Sequence, residues 1–276
     1  MQSRKFCCRS FSIRSVQRFI LKSPDVEVLS SFYTEALRLK TIQLTTDYAV
    51  LSAGDSSKSC EIVLSQSLDN ANKRIKKNQS DNRLLTYPYV TFGVSNLKTS
   101  SRHAQRKLGT VTEIESLGSQ VNEAIFTDPD GNSMRVLHLF RRNPTISITI
   151  GVQSIDNAKK LYIDLLGMRQ GTSDEISVMH LPYEKSNDKK SNTRLALSFG
   201  DPHNTTSFLL EYNLESSPHI DAVVCIEVPS EELHELYKKA SQIHGINVSP
   251  FDIQIDKSFL IEDFDGYLLQ IKGSLK

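Results

Sequence analysis

The chain has no tryptophan, only four cysteines in 276 residues, and almost no net charge, since 33 basic and 32 acidic side chains leave a formal +1. No apolar run approaches the roughly 20 residues of a membrane span, so no membrane insertion is expected. The charge balance gives no electrostatic reason to expect nucleic acid or an anionic membrane as partner. The cysteines have no metal-site spacing and imply no secreted disulfide framework. Cys7 and Cys8 are adjacent near the start, whereas Cys60 and Cys225 fall in strand-like runs and read as buried reduced thiols. Acids are missing from one stretch: none precedes Asp25, while Arg4, Lys5, Arg9, Arg14, Arg18 and Lys22 do, among several serines. Residues 1–14 therefore read either as an organelle-targeting segment, mitochondrial or plastid-like, or as a short basic tail on a cytoplasmic protein.

What is present is a repeated turn. Asp128-Pro129-Asp130-Gly131 lies between the short apolar runs Glu123-Ala124-Ile125-Phe126 and Met134-Arg135-Val136-Leu137. Proline presets φ for a tight turn, aspartate accepts local backbone hydrogen bonds, and glycine takes the position with φ > 0. Between strand-like runs this composition predicts a β-hairpin. Asp263-Phe264-Asp265-Gly266 repeats it between Phe259-Leu260-Ile261 and Leu268-Leu269-Gln270-Ile271, which points to an internal repeat.

The repeat is visible along the whole chain. Leu29, Phe32, Tyr33, Ala36 and Leu37 have the spacing of one amphipathic helix face, and Ala158, Leu161, Tyr162, Leu165 and Leu166 repeat it 129 residues later. The strands before them, at Arg18 and Ser147, have the same offset of 129. Two further units begin with strands at Tyr89–Val94 and Val223–Val228, each followed by a helix, about Leu97 to Leu108 in one and with Ser230 as N-cap in the other. Thr41–Leu44, Val50–Ala53, Cys60–Leu64 and Phe208–Tyr212 supply other strand-like runs, Asn70–Arg83 reads as a linker, and Glu184–Thr193 as a solvated insertion. Side chains alternate across a strand. Val90, Phe92 and Val94, then Ile148, Ile150 and Val152, then Val224, Ile226 and Val228 form apolar faces that should carry helices. The opposite faces mix small and polar residues, as an accessible cavity wall would. The expected fold is therefore α+β, four βαβββ modules in tandem.

Those modules and hairpins resemble the vicinal oxygen chelate superfamily, and most nearly its tandem glyoxalase I type. The resemblance implies two paired curved mixed sheets, with the first module joined to the fourth and the second to the third. It divides the chain into glyoxalase-like halves at 15–141 and 142–276. It also implies a cavity in which a divalent metal binds the two oxygens of a substrate, held by first-strand and last-strand ligands. The matching first-strand positions are Arg18, Tyr89, Ser147 and Val223; the last-strand positions are Glu61, Arg135, Glu211 and Gln270. Only Glu61, Glu211 and Gln270 could serve a metal, and none of the seven histidines falls where a ligand is needed.

The expectation is a glyoxalase-like protein with a degenerate metal site and no cofactor, which binds a small molecule or runs altered chemistry. Its cavities would be lined by Arg18, Tyr89, Arg135, Ser147, Glu211 and Glu227. Arg135 is expected to pair with Glu211, and Arg18 with Glu61 or Glu227, or else Arg18, Lys22 or Arg135 receives an anionic ligand such as a glutathione conjugate. The alternative is a lactoylglutathione lyase using zinc, nickel or manganese, which would require, for instance, Gln17 rather than Arg18 to face inward. A monomer or a homodimer suits either reading.

Overall fold

A computed structural model describes residues 14–53, 60–66, 87–115, 121–139, 145–171, 194–200, 205–213, 222–251 and 257–274. The first module comprises β1 (Ser15–Ser23), α1 (Val26–Ala36), β2 (Lys40–Leu44), β3 (Tyr48–Ser52) and β4 (Glu61–Gln66). The second comprises β5 (Tyr89–Val94), α2 (Leu97–Arg106), β6 (Thr110–Glu115), β7 (Val121–Thr127) and β8 (Ser133–His138). The third has β9 (Thr145–Val152), α3 (Ile155–Lys159) with a π-helical continuation over Lys160–Leu165, β10 (Arg169–Gln170), β11 (Arg194–Ser198) and β12 (Ser207–Tyr212). The fourth has β13 (Ala222–Val228), α4 (Leu233–Ala240), β14 (Asn247–Val248), β15 (Ser258–Glu262) and β16 (Leu268–Gly273). The Asn70–Arg83 connector, the Glu184–Thr193 insertion, Cys7 and Cys8 lie outside the described residues.

Three helices start on the side chains that best satisfy free N–H groups. Asp25 accepts from Val28 N at 3.0 Å, Asn96 from Thr99 N at 2.9 Å, and Ser154 from Asn157 N at 3.3 Å. The fourth departs from expectation. Ser230 donates its hydroxyl to Ser274 O instead of capping, and α4 begins after Glu232 with no side-chain cap. Ser230 is thus spent on holding the chain end beyond β16. The buried stripes of α1 and α3 include Leu29, Phe32, Tyr33, Leu161 and Tyr162, the spacing read from sequence.

The modules pair one with four and two with three. One eight-stranded mixed sheet runs β14-β15-β16-β13-β1-β4-β3-β2, and the other runs β10-β11-β12-β9-β5-β8-β7-β6. Within each module the first and last strands are parallel, and β1/β13 and β5/β9 join modules antiparallel. Both sheets turn one face to the helices. Phe19, Ile62, Val224 and Ile271 of the first sheet share one apolar core with Phe92, Val136, Ile148 and Phe208 of the second. The opposite faces lie outside that core.

The hairpins that announced the repeat lock the modules together. Asp128 accepts from Asp130 N at 3.0 Å and Asn132 N at 2.8 Å, and the Tyr33 hydroxyl of α1 donates to it at 3.2 Å. Asp263 accepts from Asp265 N and Tyr267 N, both at 2.9 Å, and from the Tyr162 hydroxyl at 2.9 Å. Each hairpin also reaches the end of the preceding module's first strand: Ser23 Oγ donates to Asp130 at 2.6 Å, and Gln153 N to Asp265 at 3.0 Å. Burial pushes both Asp128 and Asp263 up to about 6, against several hydrogen bonds that pull the other way. Each hairpin belongs to one sheet and each partner helix to a module of the other, so the locks tie sheet to sheet.

Candidate functional site

The face of each sheet turned away from the helices is where the cavity residues belong, and its rows follow from strand register. In the first sheet Arg18 pairs with Glu61 on one side and Cys225 on the other, and Cys225 pairs with Gln270. Glu61, Arg18, Cys225 and Gln270 therefore stand in one row across four central strands. Gln17 does not enter this row. It occupies a bulge between Val16 and Arg18, and its amide donates to Ser15 Oγ at 2.7 Å. The extra residue sets the phase, so the guanidinium and not the amide faces the cavity.

Arg18 Nε donates to Glu61 at 2.9 Å, the partner expected among two, while Glu227 lies on the same face further along β13. The Arg18 side chain is still 49% exposed, and no hydrogen bond holds its two terminal nitrogens among the described residues. Lys22 lies two steps along the same strand face, with Ile20 between them and Val63 beside Ile20. Leu260, opposite Gln270, and Leu268 are exposed on this face as well. Gln270 donates weakly to Ser258 Oγ at 3.4 Å. Val223 flanks Cys225 two residues away on the same face and pairs with Ile20.

The second sheet has the same plan with different chemistry. Ser207 pairs with Ser147, Ser147 with Thr91, and Thr91 with Arg135, so this central row is three hydroxyls and a guanidinium. A second bulge, at Ile146 between Ser147 and Thr145, matches the Gln17 bulge at the 129-residue offset. Tyr89 lies one row on, opposite Thr149, and Glu211 another row on, opposite Gly151.

The expected Arg135–Glu211 pair is replaced by two others. Arg135 grips Glu123 with Nε at 2.6 Å and Nη2 at 2.7 Å. In the hairpin register Arg135 faces Ile125, so Glu123 is its diagonal neighbour on one face, close enough for a two-point contact. Glu211 instead accepts from Arg194, directly opposite on β11, at 2.5 Å, and from the Tyr87 hydroxyl at 2.7 Å. Gly151 puts no side chain between Tyr87 and Glu211. Burial, with the charge of Glu211 second, pushes the Tyr89 phenol up to about 12. Burial and the same carboxylate raise Tyr87 as well.

No protein-family model and no curated protein sequence matches the chain. Solved structures do. Glyoxalase I from Zea mays superposes with a TM-score of 0.64 at 14% identity, over 94% of this chain and 92% of that one. A single-substitution variant of the maize protein gives a TM-score of 0.67 at 15% identity, over the same shares. A putative dioxygenase from Bacillus subtilis gives 0.59 at 12% identity, covering 97% of this chain and 87% of that one. The chain has the vicinal oxygen chelate fold. At these identities the likeness establishes the fold and leaves the chemistry to the residues.

The divalent metal implied by a vicinal oxygen chelate fold does not fit the donors present. In the first sheet the one carboxylate of the central row, Glu61, is already the acceptor of Arg18. A dication there would meet a guanidinium that has no lone pair to offer. In the second sheet Glu211 and Glu123 each hold an arginine, and the row between them offers only hydroxyls. Among the described residues no three His, Cys, Asp or Glu side chains converge as a metal site requires. Sequence reasoning missed Thr91, Cys225 and Ser207 as row members, having placed the corresponding positions at Tyr89, Val223 and Glu211. The hairpin turn, by contrast, could have given Glu123: fixing Thr127 opposite Ser133 puts Ile125 opposite Arg135 and Glu123 diagonal to it.

Proposed function

We propose that the protein binds a small anionic molecule on the open face of its first sheet, without a metal. The observation that carries this reading is the Arg18–Glu61 contact. Glu61 fixes the guanidinium through Nε and leaves its terminal fork directed at no described residue, on a half-exposed side chain beside Lys22. A fork held from behind is pre-organised for a carboxylate. Ile20, Val63, Leu260 and Leu268 give the same face apolar surface for the body of such a molecule. A glutathione conjugate, with carboxylates and an apolar S-substituent, is the class that the glyoxalase resemblance suggests. The basic N-terminal residues support an organelle address, and a targeting segment would end before Arg14, which is tied to Leu166 O and Glu232.

Titration calorimetry with S-hexylglutathione on chelator-treated protein tests this. Binding is expected without added metal, and Arg18→Gln should weaken it by about tenfold, the loss of one charge-assisted hydrogen bond. Binding that appears only after zinc, nickel or manganese is added, with metal retained on desalting, would overturn the reading in favour of lactoylglutathione lyase chemistry.

A further inference from the structure

The centre of the second sheet's outer face is closed, and it contains a polar group that the described structure does not use. Thr149 and Ser207 are both 0% exposed; among the described residues the Ser207 hydroxyl has no hydrogen-bond partner, and the Thr149 hydroxyl has at most the Tyr89 phenol opposite it. They are close to each other. Ser207 pairs with Ser147 and Leu209 with Thr149 on adjacent parallel strands, which makes Thr149 and Ser207 diagonal neighbours on one face. Ser147 and Thr91, also buried, continue the row of hydroxyls. A buried hydroxyl without a partner is costly, and the majority of such groups in folded proteins are satisfied. The unpartnered Ser207, side by side with a Thr149 hydroxyl that has spare capacity beyond Tyr89, marks a place where another group supplies the partner.

The surroundings say what kind of group that is. The charges on this face are engaged with each other: Arg135 with Glu123 at two points, and Arg194 with Glu211. An incoming ion would have to shed its water next to charges already matched. Leu209 and Ala196 are buried on this face yet lie outside the main core, and they offer apolar contact beside the hydroxyls. We propose that this closed face holds a small uncharged molecule bearing hydroxyl or carbonyl oxygens, hydrogen-bonded by Ser207 and Thr149. This site is separate from the anion-binding face of the first sheet and does not rest on it.

Equilibrium dialysis of the full-length protein with radiolabelled glycerol tests the proposal, with lactate as an anionic competitor of similar size. Saturable uptake is expected. It should weaken about fivefold or more in Ser207→Ala and in Thr149→Val, one neutral hydrogen bond each. It should be unchanged in Arg18→Gln and unaffected by lactate. Removing the unpartnered hydroxyl in Ser207→Ala should also leave the ligand-free variant with a Tm equal to or above that of the parent, and a fall of several degrees would show that the hydroxyl holds structural water instead. Absence of saturable uptake, uptake that survives both substitutions, or displacement by lactate as effective as by glycerol itself would overturn the proposal. If both variants fail to fold, the dialysis and lactate competition on the parent protein decide it.

Discussion

The two sheets share a topology, a bulge at equivalent positions and a hairpin lock, yet their outer faces have gone opposite ways. The first keeps Arg18 half exposed in a central row with Glu61, the buried Cys225 and Gln270, and holds it by one single-point ion pair. The second has buried its row of Ser207, Ser147, Thr91 and Arg135, and Arg135 is held at two points by Glu123. The same backbone positions that would carry metal ligands in a glyoxalase thus carry an exposed clamp in one sheet and a buried polar layer in the other. The difference teaches that charge is matched locally, strand by neighbouring strand, since Arg135, Arg194 and Arg18 each take a carboxylate from an adjacent strand.

The largest expected effect follows from that contrast. The Arg135 side chain is 6% exposed and its Glu123 partner 23%. Removing one member of a buried pair leaves the other charge uncompensated, which costs about 3 kcal/mol or more. Arg135→Leu should therefore lower the urea-unfolding free energy by about that amount, and Arg135→Leu with Glu123→Leu together should recover most of it. Arg18→Leu, on a side chain half exposed to solvent, should cost less than about 1 kcal/mol. Equal losses at Arg135 and Arg18 would break the distinction between a closed and an open face.

How much of this was legible in the sequence depended on the range of the interaction. The 129-residue offset, the helix faces and the two Asp-x-Asp-Gly turns are local patterns, and they sufficed for four modules. The bulges at Gln17 and Ile146 are not local. They arise where two modules meet antiparallel, and nothing in the residues themselves says which strand takes the extra residue. That is why Arg18 against Gln17 stayed open until register settled it, and why Thr91 and Cys225 were passed over for Tyr89 and Val223. The partner of Arg135 was a different kind of miss: a direct cross-cavity pairing was favoured over the diagonal neighbour that the hairpin already implied.

The hairpin locks are where the two sheets should behave alike, and pH separates them from the ion pairs. Burial holds the Asp128 and Asp263 carboxyls at about 6. An unfolded aspartate titrates near 4, so the folded chain binds each proton more tightly than the unfolded chain does. Stability from this source is complete below about pH 4 and is lost as pH rises through about 6, by roughly 3 kcal/mol per site. Asp263→Asn keeps an oxygen for the N–H groups of Asp265 and Tyr267 and can donate to the Tyr162 hydroxyl. It should flatten about half of this dependence in urea unfolding between pH 4.5 and 7.5. A variant with the full slope of the parent would place the titration elsewhere.

The smallest effect concerns the turn after each long helix. Arg38 and Gly167 stand 129 residues apart and both take positive φ, 60° and 72°, two residues after the last helical residue. Tyr33 O accepts from Leu39 N, and Tyr162 O from Met168 N, so the two ends close in the same way. Glycine takes this conformation freely and arginine with strain, partly offset by glycine's larger entropy loss on folding. Arg38→Gly should therefore stabilise by about 0.5 kcal/mol, and Gly167→Ala should destabilise by about 1 kcal/mol. The second change has a further consequence, since a Cβ at Gly167 would come within 2.8 Å of Arg14 Nη1. That nitrogen donates to Leu166 O at 2.5 Å, and the other terminal nitrogen of Arg14 to Glu232, so Arg14 ties the start of the first module to the third and fourth in addition to the β1/β13 pairing. Gly167→Ala should thus speed amide exchange at the start of β1, whereas Arg38→Gly should leave it unchanged. Equal exchange in the two variants would mean that Arg14 gives way without loosening the strand.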